Sequence, residues 1–223
     1  MCMLQKFMEE KMRRLNNRKL YAIVIILIVI ISCISVVSYN QYKKIKRYED
    51  ALQNPLSSAL SNLGIGINEN TYKILTNAIN NKYINKRDAC FIGDAFYQAS
   101  ISSQQLFGMA LPVSGYNESF NNQTSVISRD FSEYVRSIIA RQESLAYSKN
   151  DASILIRLTD DKIIKFEKMK EITNNWLKIL KIYIPSSRSI VLVKDNRWIN
   201  LVNDFSDYAN KLKWKPGEMI SNK

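Results

Sequence analysis

Residues that commonly carry catalysis are scarce in this 223-residue sequence. Histidine is absent, and the cysteines are Cys2, Cys33 and Cys90. A Ser–His or Cys–His pair needs an imidazole to accept the proton, and the lysine-based alternative, Ser-x-x-Lys, does not occur. Cys90 lies on an apolar helical stretch beside Ala89 and Phe91, so we expect a core thiol. We therefore predict no catalytic residue.

Metal and nucleotide sites lack their usual ligands as well. Zinc sites use clusters of His or Cys, and calcium loops of the EF-hand type need a spacing of acidic residues that is missing. Asp160 and Asp161 could contact a cation, but their position after Thr159 is typical of a helix start. Neither GxxxxGK[ST] nor GxGxxG is present. We predict no metal, no cofactor and no enzyme activity. Paired carboxylates could in principle cleave glycans, which leaves a wall-active enzyme open, but nothing selects Glu133 and Glu143 over surface charges.

One apolar run dominates the N-terminal part of the chain. Leu20 to Val37 contains no charged residue, and Tyr21 and Tyr39 lie near its two ends. A bilayer core of about 30 Å needs about 20 such residues, and aromatic residues favour the two interfaces. This pattern predicts a single transmembrane helix over residues 20–39.

Two kinds of processing remain open for this run. A signal peptide could be cleaved after Ser38, although the apolar run is longer than the usual 7–15 residues of a signal sequence. Alternatively, Ile30-Ile31-Ser32-Cys33 resembles a lipobox in which Cys33 would be acylated, although apolar residues continue after it.

Basic residues flank the run on both sides. Lys6, Lys11, Arg13, Arg14, Arg18 and Lys19 precede it, and Lys43, Lys44, Lys46 and Arg47 follow it. Cytoplasmic flanks carry the excess of Lys and Arg, so the six-to-four bias favours a cytoplasmic tail at 1–19. The large domain is then expected outside the cytoplasm.

The rest of the chain predicts an all-α fold. We expect a helical stalk at 40–63 that is interrupted at Asn54–Pro55, an antiparallel helical bundle at 64–215 and a disordered tail at 216–223. Apolar stripes with spacings of three and four predict the bundle helices, which are Thr71–Tyr83, Arg87–Ala110, Arg129–Tyr147, Thr159–Ile184 and a last helix that carries Trp198 to Leu212. The short run Ile190–Val193 is interpreted as helix because it has no clear partner strand.

A long polar segment, Pro112 to Ser128, separates two of these helices. It places Tyr116 and Phe120 among small polar residues, and aromatic residues in such surroundings are common anchors of protein interfaces. We predict that Tyr116 and Phe120 belong to a partner-binding surface. The alternative is a connection whose two aromatic side chains pack back onto the bundle.

The distribution of charged residues along the sequence indicates which classes of partner to expect. The formal net charge is +12, but it is spread along the chain, and positive and negative residues alternate in segments such as Lys162 to Glu171. Nucleic-acid binding needs Lys and Arg clustered on one face, so we predict no nucleic acid partner. A protein partner at the membrane is expected, homo-oligomerisation is open, and a ligand sensor is the alternative.

The order of features resembles the N-terminal helical part of YpeB-type sporulation and germination membrane proteins. The residues that carry the resemblance are Ala95-Phe96-Tyr97-Gln98-Ala99, Leu111-Pro112, the Asn-rich segment, Asp130-Phe131-Ser132 with Tyr134, and Leu158-Thr159-Asp160. That family also has a large C-terminal region of β-containing repeats, for which this sequence is too short. The resemblance implies an extracytoplasmic, non-catalytic partner of a cell-wall hydrolase in a spore former.

Overall fold

A computed structural model describes residues 2–114, 120–145, 154–185 and 191–220 of the chain. Its elements are α1 (Cys2–Gly66), α2 (Glu69–Asn81), β1 (Tyr83–Asn85), α3 (Lys86–Ser114), α4 (Gln123–Leu145), β2 (Leu155–Arg157), α5 (Asp160–Tyr183) and α6 (Arg197–Leu212). The predicted helical character is confirmed. The chain divides into two compact units, Met1–Ala51 and Leu52–Lys223.

The first unit consists of the N-terminal part of α1. An apolar window of this helix has a mean hydropathy of 2.9, and none of it is covered by other described residues. Its Ile, Leu and Val side chains between Ile23 and Val37 are exposed, as is Cys33. One helix is therefore long and apolar enough to cross a membrane.

The second unit begins at Leu52, whereas the bundle was predicted to begin at residue 64. The helix continues through Pro55, where an interruption was expected, and Leu56, Ala59 and Leu63 are buried. Proline removes one backbone hydrogen bond from a helix interior, at a cost of about 3 kcal/mol. Burial of an apolar stripe directly after it offsets that loss, so much of the predicted stalk belongs to the packed unit.

Helices α3 and α4 form the most extensive helix–helix contact of the second unit. Small residues line it: the Ser132 hydroxyl donates to the Gly93 carbonyl at 2.7 Å, and the Ser100 hydroxyl donates to the Ser125 carbonyl at 2.9 Å. Phe96 and Phe131 meet edge to face with ring centroids 5.0 Å apart. The predicted apolar stripes on these helices therefore face the core.

Two short strands were not predicted. β1 and β2 pair antiparallel, with Tyr83 opposite Arg157 and Ile84 opposite Ile156. Only the central pair, Ile84 and Ile156, is buried. Strands of three residues are too short to show a periodicity of two, so the sequence carries no signal for them.

The C-terminal segment is packed, contrary to the predicted tail at 216–223. The buried Asp130 carboxylate accepts hydrogen bonds from the Trp214 indole N–H and the Gly217 amide, both at 2.8 Å. Met219 is also buried. Residues 216–220 are therefore held by long-range contacts, and residues 221–223 lie outside the described part of the chain.

The connection into α6 also differs from the prediction. Val191 to Val193 is irregular instead of helical, and the Val193 carbonyl accepts from the Trp198 indole at 3.0 Å. The amide side chain of Gln53 bonds both Val191 and Val193, so distant contacts fix this segment. Residues 186–190 lie outside the described ranges.

Candidate functional site

Of the two residues predicted to bind a partner, the structure describes only Phe120. Tyr116 lies outside the described residues. Phe120 is 7% exposed and stacks on Phe107 with ring centroids 4.9 Å apart, so its side chain packs inward. This is the alternative that the sequence left open for Phe120, and a buried ring does not offer an anchor on the surface.

The segment around Phe120 is also shorter than predicted. Helix α3 extends past Pro112 to Ser114, and α4 begins at Gln123 instead of after Ser128. The Asn121 side chain accepts a hydrogen bond from the Gln123 amide at 2.9 Å, which favours the start of α4.

A depression lies between α2 and α5, and we call it the α2–α5 groove. Its volume is about 450 Å³. It is lined by Glu69, Tyr72, Lys73, Thr76, Asn77, Asn174, Leu177, Lys178 and Lys181. Binding pockets for ligands and peptide segments are commonly concave and of this size.

Helix α2 forms one wall of the groove and is firmly capped. The Asn68 side chain accepts from the Thr71 amide at 2.8 Å, and Lys82 ends the helix in the left-handed conformation with φ of 59°. Its buried residues Leu75 and Ala78 face the core. Lys73 and Asn77, one turn apart, are consequently exposed at the groove.

Helix α5 forms the other wall. Its buried residues Thr173, Trp176 and Leu180 anchor it to the core. Because residues on one helix face recur every three or four positions, Lys178 and Lys181 lie together on the side away from Trp176 and Leu180. Both lysine side chains are exposed.

The groove carries more positive than negative charge. The Lys181 ammonium lies 2.6 Å from a Glu69 carboxylate oxygen, and this hydrogen bond and charge together lower the pKa of Glu69. Among the described residues, neither Lys73 nor Lys178 forms an ion pair. Two ammonium groups at the groove therefore remain available to carboxylates of a bound molecule.

Hydrogen-bonding and apolar side chains accompany these lysines. Asn77, Asn174 and the Thr76 hydroxyl line the groove beside Tyr72 and the largely buried Leu177. A mixture of apolar contact and a few polar groups is typical of peptide-binding surfaces.

A second depression of about 260 Å³ lies between α3 and α4. Cys90 lines it and is exposed, so the predicted core position of this thiol is wrong. The apolar neighbours of Cys90 in the sequence suggested a core position. In the structure Ala89 occupies the buried position, and the adjacent Cys90 is exposed.

The charges of this second depression are already paired within the chain. Arg136 bonds Asp94 at 3.0 Å, and Glu143 lies 2.6 Å from Lys86. Arg136 also lies over the ring of Tyr97, 5.0 Å from its centroid. Because these charges have internal partners, the depression attracts a charged ligand less than the α2–α5 groove does.

The groove lysines were not singled out from the sequence, although a signal for them exists. Lys73, Lys178 and Lys181 adjoin the apolar stripes of their helices. The sequence does not reveal that α2 packs beside α5 and brings these stripe edges together. Within the described ranges, no group of three or more His, Cys, Asp or Glu residues could hold a metal ion.

Comparisons with known proteins add no relative. No family model matches the chain, and no curated protein or solved structure matches it significantly.

Proposed function

We propose that this chain is a membrane-anchored module whose extracytoplasmic helical bundle binds a protein partner at the cell envelope. The observation that carries the proposal is the surplus of positive charge in the α2–α5 groove. An acidic segment of the partner fits this groove, because its carboxylates would pair with Lys73 and Lys178 while an apolar side chain contacts the partly exposed Tyr72.

Anchoring and topology rest on the first unit. An exposed apolar helix is unfavourable in water and favourable in a bilayer, which supports insertion of residues 20–39. The six-to-four basic bias supports a cytoplasmic N-terminus. The resemblance to YpeB-type proteins supports a setting in sporulation or germination and a cell-wall hydrolase as the class of partner.

Topology is tested by protease accessibility. Protease added to spheroplasts should degrade the second unit and spare the cytoplasmic tail at 1–19. Full protection that is lost only on lysis would reverse the proposed topology.

Partner binding is tested by charge reversal in the full chain. A photo-crosslinking residue at Asn77, which lines the groove, should trap a discrete partner in native membranes. Lys73→Glu with Lys178→Glu should remove this product. Lys194→Glu with Lys211→Glu changes two exposed lysines elsewhere by the same charge and should leave the product unchanged.

A defined probe complements this experiment. The detergent-solubilised chain should bind a peptide rich in Asp and Glu more tightly than a Lys-rich peptide of equal length, and added salt should weaken that binding. Equal binding by the Lys73→Glu, Lys178→Glu variant would contradict the assignment of the groove.

A further inference from the structure

The helix segment that follows the apolar run has an unusual composition. Ser38 to Tyr48 contains Lys43, Lys44, Lys46 and Arg47 and no acidic residue. All four basic side chains are exposed in the first unit. They lie beside Tyr39, Tyr42 and Tyr48, which are also exposed. We call Tyr39–Arg47 the juxtamembrane band.

The height of the band relative to a bilayer follows from helix geometry. Each residue of an α-helix rises about 1.5 Å, so Lys43 lies about 9 Å and Arg47 about 15 Å beyond Val37. The headgroup layer on each side of a bilayer core is about 5–8 Å thick. Lysine and arginine side chains bend along the helix toward the interface, which brings their charged ends to headgroup level.

Tyrosines of the band fit the same position. Tyr39 is 63% and Tyr42 is 62% exposed. Tyrosine combines an apolar ring with a polar hydroxyl and is enriched where hydrocarbon meets water. An exposed tyrosine pair followed by four cations thus matches the order of layers that a helix meets as it leaves a membrane.

Charge repulsion within the band favours an anionic neighbour. Lys43 and Arg47 are one helical turn apart, and like charges at this spacing repel each other. No described acidic residue forms an ion pair with any of the four basic residues. A phosphate group between them relieves this repulsion and forms charge-assisted hydrogen bonds.

We propose that the juxtamembrane band binds the phosphate groups of anionic phospholipids in the leaflet next to it. This inference rests on the membrane anchoring proposed above. It also accounts for a feature that the positive-inside rule does not explain: four basic residues on the flank that faces away from the cytoplasm. There they serve as lipid ligands, whichever leaflet surrounds them.

Reconstitution of the full chain provides the test. The protein is inserted into vesicles of phosphatidylcholine with phosphatidylglycerol, and resistance to alkaline extraction first measures insertion. Spin-labelled phosphatidylglycerol and phosphatidylcholine then report which lipid is enriched at the protein. We expect the anionic lipid to be enriched by about fivefold over phosphatidylcholine, which corresponds to the attraction of about one basic residue near an anionic surface.

Matched variants assign the effect to the band. Replacement of Lys43, Lys44, Lys46 and Arg47 by Gln should bring the ratio close to one. The control replaces three lysines and one arginine in the second unit, Arg87→Gln, Lys194→Gln, Lys211→Gln and Lys213→Gln, all at exposed positions. This control should retain the enrichment.

The possible outcomes distinguish lipid binding by the band from membrane anchoring of the chain. Failure of the chain to insert would overturn both anchoring and lipid binding. Insertion without enrichment of the anionic lipid would overturn lipid binding alone, as would equal enrichment in the band variant. High salt should reduce the ratio, since the contact is electrostatic and partly exposed to water.

Discussion

Two pairs of packed helices in the second unit differ in how closely they approach each other. Helices α3 and α4 meet through small residues that allow extensive contact, and the hydroxyls of Ser132 and Ser100 donate to the backbone carbonyls of Gly93 and Ser125. Helices α2 and α5 also pack together, but long side chains at the edge of their contact leave a groove of about 450 Å³.

This difference separates residues that stabilise the fold from residues available to a partner. Small buried residues at α3–α4 contribute through close packing, so their replacement changes the free energy of unfolding. Exposed lysines at the α2–α5 groove contribute little to that free energy, because water solvates them well. A substitution that affects binding without affecting stability is therefore expected at the groove.

The largest expected loss of stability concerns Phe120. Its buried ring stacks on Phe107, and truncation of a buried aromatic side chain costs about 3–5 kcal/mol. We expect Phe120→Ala to lower the thermal midpoint of the detergent-solubilised chain strongly, as measured by circular dichroism. Phe91→Ala, at a more exposed position on α3, is the control and should have a much smaller effect.

This variant also decides between packing and binding for Phe120. Lost stability with unchanged partner capture would remove Phe120 from the binding surface. Weakened capture without lost stability would restore the prediction made from the sequence.

A close contact at the end of α1 gives the second prediction. A Cβ added at Gly66 would lie 2.5 Å from the Ala95 carbonyl oxygen and 2.8 Å from the Ala99 Cβ, so backbone would have to move. Gly66→Ala should therefore lower the free energy of unfolding by about 1–3 kcal/mol, the usual cost of overpacking.

Gly64 provides the matched comparison for this prediction. It lies in the same helix turn, but a Cβ there would meet nothing within 4 Å. Alanine is preferred over glycine in helices, so Gly64→Ala should stabilise by about 0.5–1 kcal/mol. Denaturant titration of both variants measures the difference, and a stable Gly66→Ala variant would contradict the close contact.

Local patterns in the sequence predict some of these features and miss others. Helices with regular apolar stripes, such as Thr71–Tyr83 and Thr159–Ile184, correspond within a few residues to α2 and α5. Their cores follow from a spacing of three and four, which requires no knowledge of the partner helix.

Features set by long-range contacts were missed. Pro216–Gly217 is typical of a chain that leaves its fold, yet Asp130, far away in the sequence, bonds Trp214 and the Gly217 amide. Pro55 similarly suggested a break that burial of Leu56 and Leu63 overrides. The α2–α5 groove belongs to the same class, because it exists only through the packing of two separate helices.

Buried serines at α3–α4 give a third prediction of smaller size. Ser132 donates to the Gly93 carbonyl at 2.7 Å, whereas the buried Ser128 hydroxyl has no hydrogen-bond partner among the described residues. Removal of a made hydrogen bond costs about 0.5–1.5 kcal/mol, so Ser132→Ala should destabilise. Ser128→Ala removes an unsatisfied group and should be neutral or stabilising; equal losses in both variants would contradict this assignment.

The smallest expected effect depends on pH and concerns the pair of Tyr183 on α5 and Asp204 on α6. The Tyr183 hydroxyl donates to the Asp204 carboxylate at 2.6 Å, and this bond, with some desolvation and the Asp204 charge, raises the pKa of Tyr183 to about 12. Since the unfolded value is about 10, folding favours the neutral phenol. The contribution of this pair to stability is therefore complete below pH 10 and is lost as the pH rises from about 10 to about 12.

The variant Tyr183→Phe lacks the bond at every pH. Other groups that titrate in this range are present in both proteins, so their effects cancel in the difference between the two. The difference in thermal midpoint between wild type and Tyr183→Phe should be constant between about pH 7 and about pH 9 and then shrink toward zero. A difference that persists at pH 12 would show that the phenol does not act through its proton.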